Sequence, residues 1–95
     1  MKLSEADITK RFRNLRSWQR NNDVIERTFE FATFAESIKF VNEVAKIAEA
    51  MNHHPDVDIR FSSVTLSLST HSEGGLTGKD FDLAEKIDKF VNKKD

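Results

Sequence analysis

The chain has no cysteine, one proline and three glycines among its 95 residues. Without cysteine it can build no disulfide, no thiolate nucleophile and no thiolate metal site, a composition that suits a reducing compartment. So few glycines and prolines leave little room for a linker or a low-complexity segment, and no internal repeat stands out. The length is too short for two domains that each bury a core, so one domain over residues 1–95 is expected. No stretch approaches the roughly 20 apolar residues that a membrane helix needs. The opening Met1-Lys2-Leu3-Ser4-Glu5 lacks the apolar centre of a signal peptide, and a cytoplasmic location is the expectation. An excess of one charge is missing too: 15 basic and 16 acidic residues give a net charge of -1. They are mixed along the chain without a basic stripe, which disfavours direct nucleic-acid binding. A hydrophobic fraction of 38%, with 8 phenylalanines, suffices for one modest core. It also leaves apolar surface for another copy of the chain, so a homo-oligomer is expected.

Three segments carry a helix-start signal, a Ser or Thr followed three positions later by an acidic residue. They are Ser4 with Asp7, Thr33 with Glu36, and Thr77 with Asp80. After Thr33, Ile38, Val41, Ala45, Ala48 and Met51 recur at helical spacing, widened by Phe40, Val44 and Ile47. This helix is expected over about residues 34–52, because Pro55 disfavours helical geometry at His54. After Thr77, Leu83, Ala84, Ile87, Phe90 and Val91 form a further stripe, and Asn92-Lys93-Lys94-Asp95 reads as a frayed polar end.

Elsewhere the period is two. Ile25, Arg27, Phe29 and Phe31 alternate with Glu26, Thr28 and Glu30, a half-buried strand with one charged interloper. Val57, Ile59 and Phe61 alternate with Asp58 and Arg60; Val64, Leu66 and Leu68 alternate with Thr65, Ser67 and Ser69. Ser62-Ser63 between these two runs is the expected hairpin turn, and a short strand is expected near Trp18. Strands with one apolar face, interleaved with helices, predict an α+β fold: a four-stranded antiparallel sheet with three helices packed on one side.

The three histidines fall in Glu49-Ala50-Met51-Asn52-His53-His54-Pro55 and Ser69-Thr70-His71-Ser72-Glu73-Gly74-Gly75. Glu49 and His53 stand four apart, so on a continuous helix the carboxylate would orient the imidazole. His53 and His54 sit at the helix end, whose negative dipole suits a cation and hence a general acid. His71 leaves the strand after Leu68, and the hairpin ties that strand to His54, so convergence of the three is geometrically feasible. Gly74-Gly75 permits a tight loop that a flat ligand can approach.

Blander readings stand beside this one. A histidine pair at a helix end is commonly structural or solvated. Three histidines and a carboxylate can also hold zinc, although adjacent His53 and His54 seldom point at one metal. A binding scaffold would show spare apolar residues on a helix, with Phe34 and Phe81 as candidates.

The run Glu49, three residues, His53-His54-Pro55, five residues, Phe61, nine residues, His71, eight residues, Asp80 resembles the motif of the pterin-4a-carbinolamine dehydratase family. In animals that family doubles as a dimerisation cofactor of a homeodomain transcription factor. Ser69-Thr70-His71 followed by Gly75-Leu76-Thr77, Asp80 and Leu83-Ala84 is similar to its C-terminal pattern, and the likeness extends upstream through Phe40 and Phe29 to Trp18. Phe61 stands where many members have Tyr, Ser62 where Asn is frequent, and Val57 where animal members carry an aromatic residue. The resemblance implies a four-stranded sheet with helices on one side, homodimers or homotetramers, and no metal or cofactor other than the pterin being processed. It implies loss of water from a 4a-hydroxytetrahydropterin to give quinonoid dihydropterin, with substrate supplied by an aromatic amino acid hydroxylase. His53, His54 and His71 would be catalytic, and Glu49, Asn52, Pro55, Ser69, Thr70, Ser72 and Asp80 would line or support the pterin. Within that scheme His53 is expected to be the acid for the C4a hydroxyl, His71 the base on the ring-nitrogen side, and His54 the residue that holds the oxygen or shares the acid role.

Overall fold

The computed structural model describes residues 1–93. In chain order the elements are α1 (Glu5–Phe12), β1 (Gln19–Asn21), β2 (Val24–Glu30), α2 (Phe34–Met51), β3 (Asp56–Arg60), β4 (Ser63–Leu68), a 3-10 turn (His71–Glu73) and α3 (Gly78–Lys93). All three start signals hold. Ser4 Oγ accepts from Asp7 N at 3.2 Å, Thr33 Oγ1 from Glu36 N at 3.1 Å, and Asp80 Oδ2 from Thr77 N at 3.0 Å. Each supplies an acceptor to a backbone donor that a helical first turn leaves orphaned. Of the polar end 92–95, Asn92 and Lys93 continue α3, while Lys94 and Asp95 lie outside the described residues.

The strands form one antiparallel sheet in the order β1-β2-β4-β3. Ile25 pairs with Leu68 and Phe29 with Val64, while Val57 pairs with Leu66 on the other side of β4. This register puts Ile25, Phe29, Val64, Leu66 and Leu68 on one face, buried in a common cluster with Phe40 and Val44 of α2 and Phe81, Leu83, Ala84 and Ile87 of α3. The opposite face carries Thr28 and Thr65, whose hydroxyls meet at 2.8 Å in solvent. Helices on one side of an antiparallel sheet therefore follow directly from the period-two pattern. Among the described residues no helix is long and apolar enough to cross a membrane.

The charged interloper of β2 has a partner. Arg27 lies 4.3 Å from the centroid of the Phe29 ring and reaches Asp88 Oδ1 of α3 at 2.7 Å. The same oxygen accepts from Trp18 Nε1 at 2.8 Å, so one carboxylate ties β2 and the segment before β1 to α3. Trp18, Phe29 and Phe40 then follow in edge and tilted contacts with centroids 6.3 and 4.7 Å apart.

The turn between β3 and β4 shifts by one residue from the expected Ser62-Ser63. Arg60 pairs with Ser63, which leaves Phe61 and Ser62 as the loop. A two-residue hairpin loop needs a positive φ, and Phe61 supplies it at 56°. The alternation in β3 does not mark burial either. All five of its residues are exposed, with Val57 at 41% and Ile59 at 36% of full accessibility, because β3 is an edge strand.

Two stability outcomes follow. Asp88→Ala strands Trp18 Nε1 and the Arg27 guanidinium and should lower the unfolding free energy by roughly 2 kcal/mol, with Asp88→Asn costing less; urea denaturation measures both. Arg20 grips Glu5 with two bonds of 2.8 Å, and that hydrogen bond, then the charge of Arg20, lowers the Glu5 pKa from its usual 4.5. A lowered carboxyl pKa contributes stability above 4.5 that is lost as pH falls below it. Arg20→Gln should accordingly lower stability slightly at neutral pH, leave it unchanged in strong acid, and so flatten the acid side of the stability–pH curve.

Candidate active site

The geometry begins where α2 stops. Asn52 adopts the left-handed conformation (φ 52, ψ 42), His53 N donates to Ala48 O at 3.1 Å and Asn52 N to Glu49 O at 3.2 Å. These are the paired bonds of a Schellman turn, and Asn tolerates the left-handed position better than most residues. The helix therefore ends before His53. The expected contact of Glu49 with His53 gives way to another: Glu49 Oε2 bonds His54 Nε2, because the reversal at Asn52 carries His53 off the helix face. Both partners of this pair are largely exposed, the His54 side chain at 58% and Glu49 at 74%, so it orients more than it stabilises.

His53 turns inward. Its Nε2 lies 2.6 Å from Oδ1 of Asp80, and the two side chains are 11% and 0% exposed. Oδ2 of Asp80 accepts from Thr70 Oγ1 at 2.8 Å and from Thr77 N at 3.0 Å. Thr70 Oγ1 lies 2.8 Å from Thr77 Oγ1, which in turn accepts from Lys79 N at 3.3 Å. Asp80 is thus both the carboxylate of the α3 capping box and the partner of His53. It joins the end of α2, the residue before His71 and the start of α3.

His71 opens the 3-10 turn and is exposed, as is Ser72; Ser69 and Pro55 are half-buried and Thr70 is buried. The turn is closed by Gly74 at φ 73 and by Thr70 N donating to Gly75 O at 3.1 Å. Gly75 does not offer open backbone to a ligand. A Cβ there would meet Lys2 Cδ at 3.0 Å and Asp23 Oδ1 at 3.2 Å. The first residues run across this loop, with Leu3 N donating to Leu76 O at 2.9 Å and the Met1 ammonium 3.2 Å from Glu73.

Among the described residues no three His, Asp or Glu side chains gather as a metal-binding set. A concavity of about 490 Å³ is lined by Phe29, Phe31, Phe40, Phe90 and Lys39 among others and touches none of the histidines. Its walls are mainly aromatic core with a charged rim. The buried pairing of the His53 imidazole with the Asp80 carboxylate lies apart from this concavity. Of the spare apolar residues, Phe34 is 51% exposed, whereas Phe81 is fully buried and packs edge-on against Phe12 at 6.3 Å. Thr77, read from the sequence as a helix cap alone, also belongs to this network.

The fold and the site define a small α+β protein with a buried histidine–carboxylate pair. The family model described as pterin 4 alpha carbinolamine dehydratase matches residues 1–90, and the chain belongs to that family. A protein of Roseiflexus castenholzii named for this dehydratase is 53% identical over 89 residues, covering 94% of this chain and 96% of its own length. One from Sulfolobus acidocaldarius is 47% identical over 90 residues, covering 95% and 99%. The crystal structure of a transcriptional coactivator/pterin dehydratase from Brucella melitensis superposes with a TM-score of 0.87 at 32% identity, covering 94% of this chain and 97% of that one. A pterin dehydratase-like RuBisCO assembly factor of the alpha-carboxysome shares the fold, with a TM-score of 0.60 at 19% identity over 76% of this chain and 83% of its own.

The turn that aims His53 can be tested apart from any activity. Asn52→Ala places an unsuited residue at φ 52 and should cost roughly 1 kcal/mol, while Asn52→Gly should cost nothing or stabilise slightly; thermal and urea unfolding read the contrast.

Proposed function

We propose that this chain is a 4a-hydroxytetrahydropterin dehydratase that works by histidine acid–base catalysis without a metal or other cofactor. The observation that carries the reading is the buried Asp80–His53 pair, tied through Thr70 to the segment that bears His71. In the reaction the C4a–O bond breaks as its oxygen takes a proton and leaves as water. The hydrogen on N5 passes to a base, and its electron pair forms the C4a=N5 double bond of quinonoid dihydropterin. An acid and a base are needed at different edges of one ring, and imidazoles exchange protons near neutral pH.

His53 is the acid in this scheme, with Asp80 rather than Glu49 as its partner. His71 is the base, and His54, steadied by Glu49, holds the departing oxygen. Asn52, Pro55, Ser69 and Ser72 edge the pterin, while Thr70 and Asp80 support it from beneath. The substrate comes from a hydroxylase that oxidises tetrahydropterin, in keeping with recycling for an aromatic amino acid hydroxylase in the cytoplasm. The uncovered β3 edge, with Val57 and Ile59 exposed at 41% and 36%, supports assembly into homodimers or homotetramers. A second reading, a scaffold that docks a protein partner through the same fold, draws on the exposed Phe34 and Phe61.

The deciding measurement is the rate of water loss from freshly generated 4a-hydroxytetrahydropterin, before and after dialysis against a chelator. Acceleration that survives the chelator is expected; activity lost and then regained on adding zinc would refute the metal-free scheme, and no activity at all would favour the scaffold. His53→Ala should lower kcat about a hundredfold or more with a smaller change in KM, and Glu49→Ala should lower it less. Near-normal turnover in His53→Ala with loss in His54→Ala or His71→Ala would move the acid role elsewhere.

A further inference from the structure

We propose that Thr77 and Thr70 are positioning residues that order the Asp80 carboxylate so that His53 keeps its proton on Nε2 and meets substrate through Nδ1. The direction of each hydrogen bond follows from the one before. Lys79 N can only donate, so Thr77 Oγ1 accepts from it at 3.3 Å and keeps its own proton to give. Thr70 Oγ1 spends its proton on Asp80 Oδ2 at 2.8 Å, so in its 2.8 Å contact with Thr77 it is the acceptor. The relay therefore runs from the first turn of α3 through Thr77 to Thr70 and ends on the carboxylate.

Thr77 N adds a second donor to the same Oδ2 at 3.0 Å. Both donors on Oδ2 are fixed by the α3 start and the end of β4, which leaves Oδ1 for His53. A carboxylate only accepts, so at 2.6 Å Nε2 of His53 donates. Nδ1 has no hydrogen-bond partner among the described residues and is the nitrogen left for chemistry. When the imidazole has given up its working proton, the tautomer that remains is the one the network favours, so His53 does not have to reorient between turnovers.

This assignment deepens the dehydratase reading, yet its first readout is independent of it. Long-range proton–nitrogen NMR on the labelled full chain, at a pH where His53 is neutral, should show the proton on Nε2. Asp80→Asn should invert the tautomer. The two donors on Oδ2 require the new side chain's carbonyl at that position, which turns its amide toward Nε2 and forces the proton to Nδ1. Thr77→Val should give a mixture of tautomers and lower kcat roughly tenfold, the scale of one buried hydrogen bond, at unchanged KM; Thr77→Ser should restore both. Neutral His53 carrying its proton on Nδ1 in the parent protein, an Asp80→Asn variant that keeps Nε2–H, or a Thr77→Val spectrum like the parent's would each overturn the proposal. Should Thr77→Val fail to fold, the near-isosteric Asp80→Asn and Thr77→Ser still decide it. A chain without dehydratase activity but with the expected spectra would remove the function and keep the network.

Discussion

One buried carboxylate organises this molecule's chemistry. Asp80 accepts at both oxygens, from the amide that starts α3, from the hydroxyl at the end of β4 and from the imidazole that follows α2. Burying a charge without such partners would cost several kcal/mol, so the three segments are held together by what the carboxylate requires as much as by the apolar packing around it. Fold and site are consequently hard to separate at this position. Replacing Asp80 by alanine would weaken a helix start and release an imidazole at once, and lost activity in such a variant would not by itself identify a chemical role.

A second carboxylate shows the same economy. Asp88 serves Trp18 and Arg27 from the opposite end of α3, so that helix is clamped to the sheet by an acidic residue near each end. Between them lie Phe81, Leu83, Ala84 and Ile87, which meet the inner face of the strands. Polar anchoring fixes where the helix lies along the sheet, and apolar burial supplies most of the driving force. The histidine-bearing segments at one end of the sheet thereby sit on a rigid base.

Much of the fold was legible because its signals are local. The helix starts at Ser4, Thr33 and Thr77, the period of β2 and β4 and the stripe of α2 each depend on residues within a few positions of one another. What escaped the sequence was set by contacts across the chain or by backbone conformation. The partner of Arg27 lies 61 residues away on α3, and the partner of His53 lies 27 residues away. The pairing of Glu49 with His53 rested on a continuous helix, and a single left-handed residue at Asn52 redirected it to His54. In the β3–β4 hairpin, pattern alone could not tell that Phe61 rather than Ser63 belongs to the turn. The alternation of β3 was read as burial, although an edge strand can carry it exposed. The spacing of Glu49, His53, His54, His71 and Asp80 did identify the family; it gave no hint that the carboxylate of the Thr77–Asp80 helix start is also the partner of His53.

The run of Met1, Lys2 and Leu3 across the loop after His71 bears on how the protein is handled at the bench. Leu3 is hydrogen-bonded to Leu76, Lys2 covers Gly75, and the amino group of Met1 faces Glu73. A purification tag joined ahead of Met1 would exchange that ammonium for a neutral amide and crowd the loop beside His71. The far end of α3 lies about 20 Å along the helix from Asp80, at 1.5 Å per residue. A tag carried there would leave the histidine-bearing loops untouched, which makes the C-terminal side the sounder place for a handle, a fluorophore or a surface tether.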